Sequence, residues 1–238
     1  MRLDKYVASA AFLTRSTAAK MISAGHVTVN GKVAKNGKSS VTDTDTVMLD
    51  GRELSYSEFI YLMLNKPAGY ITATEDARRG EPVVNDLIPD ELRHRGVFPV
   101  GRLDKDTTGL LIITDDGTSA HKALSPKHHV AKTYRFTSSP PLTDDMISQI
   151  ERGVDIGERD SKGQVLLTAP AVINGDEITI TEGKFHQIKR MFEAVGSKIT
   201  SLCRVCFAGI PLDETLEIGK WRYLTDDEIA VFTGQNKA

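Results

Sequence analysis

The sequence predicts an α+β protein of two domains, and three observations carry that reading. Near the N-terminus, two short helical patterns are followed by an alternating strand that turns at Asn30-Gly31. Farther on, four consecutive apolar residues, Leu110, Leu111, Ile112 and Ile113, stand between polar loops, the pattern of a strand buried on both faces. In the last quarter Ile188, Met191, Phe192 and Val195 recur at i, i+3, i+4 and i+7, an amphipathic helix closed by Gly196. A chain of 238 residues with 40% hydrophobic and 26% charged residues can bury a real core and fill one large or two modest domains.

The front of the chain reads as a small helix–helix–hairpin module. Leu3, Tyr6, Val7 and Ala10 share one helical face. A second helix starts near Thr14 or Ser16, either of which can cap it, and carries Ala18, Ala19, Met21 and Ile22 on its apolar side until Gly25 ends it. Residues 26–33 then alternate about an Asn-Gly turn, the strongest short hairpin signal. The net charge of the whole chain is only -2, which does not advertise a nucleic-acid binder. Its distribution does: residues 1–40 carry seven cationic residues against one carboxylate, Asp4, a net of +6. Such a basic module on a near-neutral body is an electrostatic footprint for RNA. Arg2, Lys5, Arg15, Lys20 and Lys32 are the candidate phosphate contacts. The polar run 51–60 shows no long periodic pattern and sets the domain boundary, giving domains 1–58 and 59–238. A short linker there would let the first domain tether RNA while the second docks.

In the body, residues 61–64 read as a strand that enters a turn at Pro67 and Gly69, with extended structure resuming at 70–72. The charged run 75–80 is a loop candidate. The loop 101–109 places Asp104 directly before the buried strand 110–113, a rigid mount for a reactive group, and Asp115-Asp116-Gly117 ends that strand in a turn. A lone Asp in such a loop more often caps a turn or pairs with a neighbour such as Lys105. Residues 125–136 gather cations, His128, His129 and Tyr134 ahead of another strand, but no third ligand at helical spacing suggests a metal, and none is expected. On the helix after Gly183, Lys189 lies on the flank of the apolar face, able to reach a carboxylate, while Arg190 points nearly opposite, toward solvent or RNA phosphate. Lys132 and Lys184 are further candidates for RNA contact. Cys203 and Cys206 fall in a strand-like stretch, 199–210, where residues three apart face opposite sides; they read as packing residues, neither a zinc site nor a redox pair. No apolar run approaches the roughly 20 residues that span a bilayer, and the N-terminus lacks a signal-peptide pattern, so a cytoplasmic protein without membrane partners is expected.

Several of these words resemble those of a known family. Gly101-Arg102-Leu103-Asp104, followed by Thr107, Gly109, Leu110 and Leu111, resembles the catalytic motif of pseudouridine synthases. Lys66-Pro67-Ala68-Gly69 looks like their opening motif, Lys132-Thr133-Tyr134 like the motif that supplies an active-site Tyr, and Gly183-Lys184-Phe185-His186-Gln187-Ile188-Lys189 like the one whose basic residue pairs with the catalytic Asp. Many branches carry Arg where this chain has Lys189, so a single-point ammonium replaces a planar fork. Residues 1 to about 50 are similar to the S4 RNA-binding module, through Arg2-Leu3-Asp4-Lys5, Arg15 and Val29-Asn30-Gly31. Together the motifs run in order to about residue 210 and resemble most the branch acting on small-subunit ribosomal RNA.

The resemblance implies a catalytic domain built on a mixed, mainly antiparallel sheet with flanking helices. It implies isomerisation of a uridine of 16S ribosomal RNA, at position 516, to pseudouridine, with no cofactor. Asp104 would be the catalytic carboxylate, Lys189 its ionic partner, and Tyr134 the residue stacked on uracil. Arg102 would fill or brace the space the flipped base leaves. If the Asp104–Lys189 pair were fully buried, breaking it would cost about 3–5 kcal/mol. Asp104 either attacks the ribose or base or removes a ribose proton to give a glycal; both paths stay open. A monomer is expected, and the near-neutral body suggests that the substrate is a partly assembled small-subunit ribonucleoprotein. Two other readings stand beside this one: a synthase acting on 23S RNA or tRNA, and a non-catalytic RNA-binding assembly factor.

Overall fold

The computed structural model describes residues 1–238 except 12, 43, 55, 57, 76–79 and 235–238. The chain divides into two compact units, Met1–Ile60 with Pro89–Val97, and Tyr61–Ile88 with Phe98–Ala238.

The first unit opens with α1 (Leu3–Ala10) and α2 (Arg15–Ala24). Leu3, Tyr6 and Val7 of α1 bury with Ala18 and Ile22 of α2 in one core, as the helical spacing predicts, whereas Ala19, expected on the same side, is exposed. Thr14 caps α2 by accepting from the Thr17 amide at 3.2 Å, and Gly25 ends it at φ 91°. Four short strands follow, β1 (Val27–Val29), β2 (Lys32–Val33), β3 (Val47–Leu49) and β4 (Arg52–Glu53), in the sheet order β2-β1-β3-β4. Asn30 and Gly31 both take positive φ, 51° and 76°, the geometry that matches a two-residue turn to the twist of its strands. Asp50 and Gly51 repeat that geometry at 49° and 79° and join β3 to β4. The run 51–60 therefore begins with a strand and not with a patternless linker; Asp-Gly is the same turn signal as Asn-Gly and marks it. The short helix α3 (Asp90–Arg93) belongs to this unit, where Arg95 donates to the Glu58 carbonyl at 2.8 Å.

The second unit is organised by β5 (Tyr61–Lys66), β6 (Phe98–Pro99), β7 (Thr108–Thr114) and β8 (Lys132–Ser139), with α4 (Gly117–Leu124) following β7 and α5 (Asp144–Arg152) following β8. A ribbon of β9 (Asp155–Arg159) and β10 (Val165–Leu167) comes next, then β11 (Val172–Asn174) and β12 (Glu177–Ile180), and α6 (Gln187–Ala194). The chain closes with β13 (Lys198–Phe207), β14 (Ile210–Pro211), β15 (Trp221–Tyr223) and α7 (Asp226–Thr233). The main sheet runs β11-β12-β8-β13-β7-β5-β15. All its pairings are antiparallel except β7 with β13, so the sheet is mixed and mainly antiparallel. β7 lies between β13 and β5, and Leu110, Leu111, Ile112 and Ile113 are all fully buried.

Three local expectations change. Asp116 does more than turn the chain: it accepts from the amides of Thr118 and Ser119 and starts α4. Extended structure after Gly69 is limited to a bridge between Ile71 and Val83, and bends follow at 72–74. Of the loop expected over 75–80, residues 76–79 lie outside the described residues. Cys203 and Cys206 do not face opposite sides. The register of β13 against β8 slips between Arg204 and Cys206, so the two cysteines stand opposite Arg135 and Thr133, two residues apart on one face of β8. Both are free thiols.

Candidate active site

The loop between β6 and β7 carries Asp104, and the sequence fixes that loop from three sides. Thr72 clamps Leu103, donating to its carbonyl at 2.7 Å and accepting from its amide at 3.1 Å. Gly69 donates its amide to the Lys105 carbonyl at 2.8 Å. Lys66, at the end of β5, is fully buried, and its ammonium donates to four carbonyls: Pro67 (3.1 Å), Asp104 (3.1 Å), Lys105 (3.3 Å) and Thr107 (2.8 Å). Burial pulls the Lys66 pKa down to about 8, against the upward pull of Asp106 and Asp104. At the far end of the loop Gly109 enters β7 at φ 95°, and a Cβ there would lie 2.4 Å from the Arg204 carbonyl oxygen, so only glycine fits.

Helix α6 brings the cation. Lys189 Nζ sits 3.1 Å from Asp104 Oδ2 and 2.6 Å from Asp106 Oδ1, one ammonium between two carboxylates. His186 places Nε2 3.5 Å from Asp104 Oδ1. The start of the helix is held by Gln187, which accepts from the Lys184 amide at 2.9 Å and donates to Glu182 at 2.7 Å. Burial works against the Lys189 charge, but the hydrogen bonds to Asp106 and Asp104 outweigh it and hold its pKa above the ordinary lysine value. The same ammonium holds the Asp106 carboxyl below the usual carboxylate range. The pair is less enclosed than the sequence suggests: the side chains of Lys189 and Asp104 keep 21% and 27% of their exposure. Solvent therefore screens it, and the cost of breaking it falls below that of a fully buried pair.

A cavity of about 810 Å³ opens over this pair, within the range of ligand sites, and Arg102, Lys132, Tyr134, Lys184 and Arg204 help to line it. Tyr134 is buried on β8, opposite Ile178 of β12 and Arg204 of β13. Asp104, Tyr134 and Lys189 thus meet in one cavity from three separate stretches of sequence. Arg102 is exposed at its edge, and Lys184 bonds Glu182 at 3.3 Å. Arg190 departs from its expected place. Its guanidinium donates to Glu158 at 2.9 Å, to the Phe185 carbonyl at 3.0 Å and to the Ile156 carbonyl, because β9 packs where solvent was expected. It braces α6 and does not line the cavity. In the first unit Arg2 and Arg15 both bond Asp4, at 2.5 and 3.1 Å, while Lys5, Lys20 and Lys32 are exposed. Among the described residues no group of three His, Cys, Asp or Glu side chains is placed to hold a metal ion. Sequence reasoning missed Lys66, Asp106, His186 and Arg204 as parts of the site. The local signals were Arg204, a cation within the apolar run Leu202–Phe207, and the motif words that contain Lys66 and His186.

Residues 60–194 match the family model for RNA pseudouridylate synthase, more than half of the chain. The chain belongs to the RNA pseudouridylate synthase family. Residues 1–47 of this synthase match the S4 domain model. The synthase is 42% identical over 237 residues to a Bacillus subtilis (strain 168) protein named as an uncharacterised RNA pseudouridine synthase, YtzG, covering 96% of this chain and 97% of that one. It is also 42% identical to the ribosomal small subunit pseudouridine synthase A of Vibrio vulnificus (strain CMCP6), covering 96% of this chain and 98% of the relative. A crystal structure of a pseudouridylate synthase superposes with a TM-score of 0.66 at 37% identity, over 98% of this chain and 99% of that one. The synthase is accordingly an isomerase with an S4 module ahead of its catalytic body.

Proposed function

We propose that the synthase converts one uridine of small-subunit (16S) ribosomal RNA, at position 516, to pseudouridine, acting in the cytoplasm as a monomer on a partly assembled small-subunit particle. The observation that carries the mechanism is the Lys189 ammonium 3.1 Å from Asp104 beneath a cavity that Tyr134 also lines. A flipped uridine enters that cavity with its ribose at Asp104 and its base against Tyr134. Lys189 stays paired with the Asp104 carboxylate as RNA covers the site and water leaves. Asp104 then acts at the ribose or base, by attack or by removing a ribose proton, while Tyr134 holds the uracil through its rotation and assists loss of the C5 proton. Support for the RNA class comes from the full-length likeness to relatives named for the small ribosomal subunit, and from the exposed Lys5, Lys20 and Lys32 of the S4 module. No helix among the described residues is long and apolar enough to cross a membrane.

The test is release of tritium from small-subunit RNA labelled at uracil C5, naked and partly assembled, by wild type and Asp104→Asn. Release that disappears in the variant is expected. No release by wild type on either form would move the substrate to large-subunit RNA or tRNA, or the protein to an assembly role.

A further inference from the structure

Two cations that pair with no carboxylate among the described residues line the cavity. Arg204 is only 2% exposed, yet it forms no ion pair among the described residues. Its Nε donates to the Leu110 carbonyl at 2.8 Å, which fixes the guanidinium against β7, and its Nη2 is buried with no hydrogen-bond partner. Lys132 stands beside it. The Arg204 Cζ lies 4.7 Å, and the Lys132 Nζ 5.9 Å, from the centre of the same Phe207 ring. The Lys132 ammonium donates to the Val130 carbonyl at 2.8 Å. Burial and the Arg204 charge together push the Lys132 pKa down. The carboxylates of the cavity are engaged elsewhere: Asp104 with Lys189, Glu182 with Lys184, and Glu81 with Lys105. A buried, unpaired guanidinium donor is a costly feature that a ligand oxygen would complete.

Depth decides which oxygen. Arg102 is exposed and Arg204 and Tyr134 are buried, so a flipped nucleotide would leave its phosphates toward Arg102 and bring its base toward Tyr134 and Arg204. Tyr134 and Arg204 stand directly opposite each other on neighbouring strands, and Lys132 is two residues from Tyr134, so all three project from one face of the sheet. A base held against Tyr134 therefore turns its edge to Arg204 and Lys132.

We propose that Arg204, with Lys132, cradles the uracil after it detaches, Arg204 donating Nη2–H to a carbonyl oxygen of the base. The proposal rests on the reading that uridine enters with its ribose at Asp104. When the N1–C1′ bond breaks, its electron pair stays on N1 and spreads to O2 and O4, so the free base is an anion. The ribose is balanced either by a C1′–O bond to Asp104 or by transfer of the C2′ proton to Asp104 with a C1′–C2′ double bond. C5 of the anion then bonds C1′, either displacing the Asp104 carboxylate or while C2′ takes its proton back from Asp104; the C5 proton leaves to solvent and N1 takes up a proton from solvent. Charge that develops on the base thus meets donors already in place, which is where fixed donors accelerate a reaction most. Arg204 and Lys132 are catalytic residues in this scheme.

The experiment measures tritium release by the full-length protein on C5-tritiated small-subunit RNA, for wild type, Asp104→Asn, Lys132→Met, Lys132→Arg and Arg204→Lys. Lys132→Met and Arg204→Lys are expected to lower kcat by about 10²-fold with KM unchanged, and Lys132→Arg to restore most of the rate. Transcripts made with 2-thiouridine or 4-thiouridine, tritiated at C5, test the contact itself. Sulfur accepts hydrogen bonds poorly, so one of the two replacements should slow wild type more than Lys132→Met or Arg204→Lys. If Arg204→Lys does not fold, Lys132→Met carries both measurements. Unchanged kcat, or equal slowing of wild type and variants by both sulfur replacements, overturns the proposal while leaving the synthase reading intact. Release that is absent from wild type, or that persists in Asp104→Asn, overturns the reading and the proposal with it.

Discussion

At the residue scale the site is one ammonium serving two carboxylates. Lys189 is closer to Asp106 (2.6 Å) than to Asp104 (3.1 Å), although the family resemblance points only to Asp104. Asp106 keeps 72% of its side-chain exposure, so it anchors the ammonium from the solvent side while Asp104 faces the cavity. Replacing Lys189 by Met should lower turnover by at least about 10²-fold, since the carboxylate loses its preorganised counter-charge. Stability should fall by only about 1–3 kcal/mol, because both partners remain partly solvated. Paired kinetics and thermal melts check this, and equal damage to both would mean that the pair is mainly a structural strut. The Asp106 carboxyl also sets a pH dependence. Its folded pKa lies below its ordinary 3.8, so the stability it contributes is present above pH 3.8 and is lost as pH falls through the folded value. Between pH 5 and 3 the Asp106→Asn protein should therefore lose less melting temperature than wild type, and identical losses would show that Lys189 does not bind this carboxylate in solution.

At the element scale the Asp104 loop is held by backbone, and that explains which residues its motif needs. Lys66 gathers four carbonyls and Thr72 clamps Leu103, so the loop has little freedom to carry Asp104 away from α6. Gly109 is required where β7 and β13 run parallel with their backbones in close approach. Gly109→Ala should cost about 3 kcal/mol, from left-handed strain and overpacking, and lower Tm by roughly 6–12 °C. An unchanged Tm would mean that β13 yields at that point. The pairing of β13 with β8 belongs to the same scale. It sets Phe207 opposite Lys132 and Arg204 opposite Tyr134, which places both cations on the face that carries the tyrosine. Gln187, bonded to the Lys184 amide and to Glu182, holds the start of α6 beside the Asp104 loop, and Arg190 ties that helix to β9.

At the scale of the whole molecule, charge is divided between two units. The S4 module carries the cationic excess, and its exposed lysines are available to phosphate, whereas Arg2 and Arg15 already share Asp4. Combining Lys5→Gln, Lys20→Gln and Lys32→Gln should raise KM for RNA, leave kcat nearly unchanged, and reduce the slope of log affinity against log salt by about 2–3. Titrations at several salt concentrations measure this directly. A fall in kcat with the salt slope unchanged would place the RNA tether elsewhere.

The fold class, the front module, the buried strand behind the Asp104 loop, and the three residues that meet in the cavity are all legible before folding. Each is written locally: in the spacing of apolar residues, in an Asn-Gly turn, or in short words of the Asp104 loop and of α6. The Asp50-Gly51 turn and the Asp116 cap are equally local signals, the first hidden in a run without periodicity and the second legible only as a turn. The rest depends on strands distant in the chain becoming neighbours. Lys66 is an ordinary turn residue until the loop at 104–107 folds over it. Arg190 looks solvent-facing until β9 packs against α6. Arg204 is an anomalous cation in a strand until β13 pairs with β8 and sets it opposite Tyr134, its Nη2 without a hydrogen-bond partner among the described residues. A side chain's periodicity fixes the face of its own element, but what stands across that face is fixed by packing.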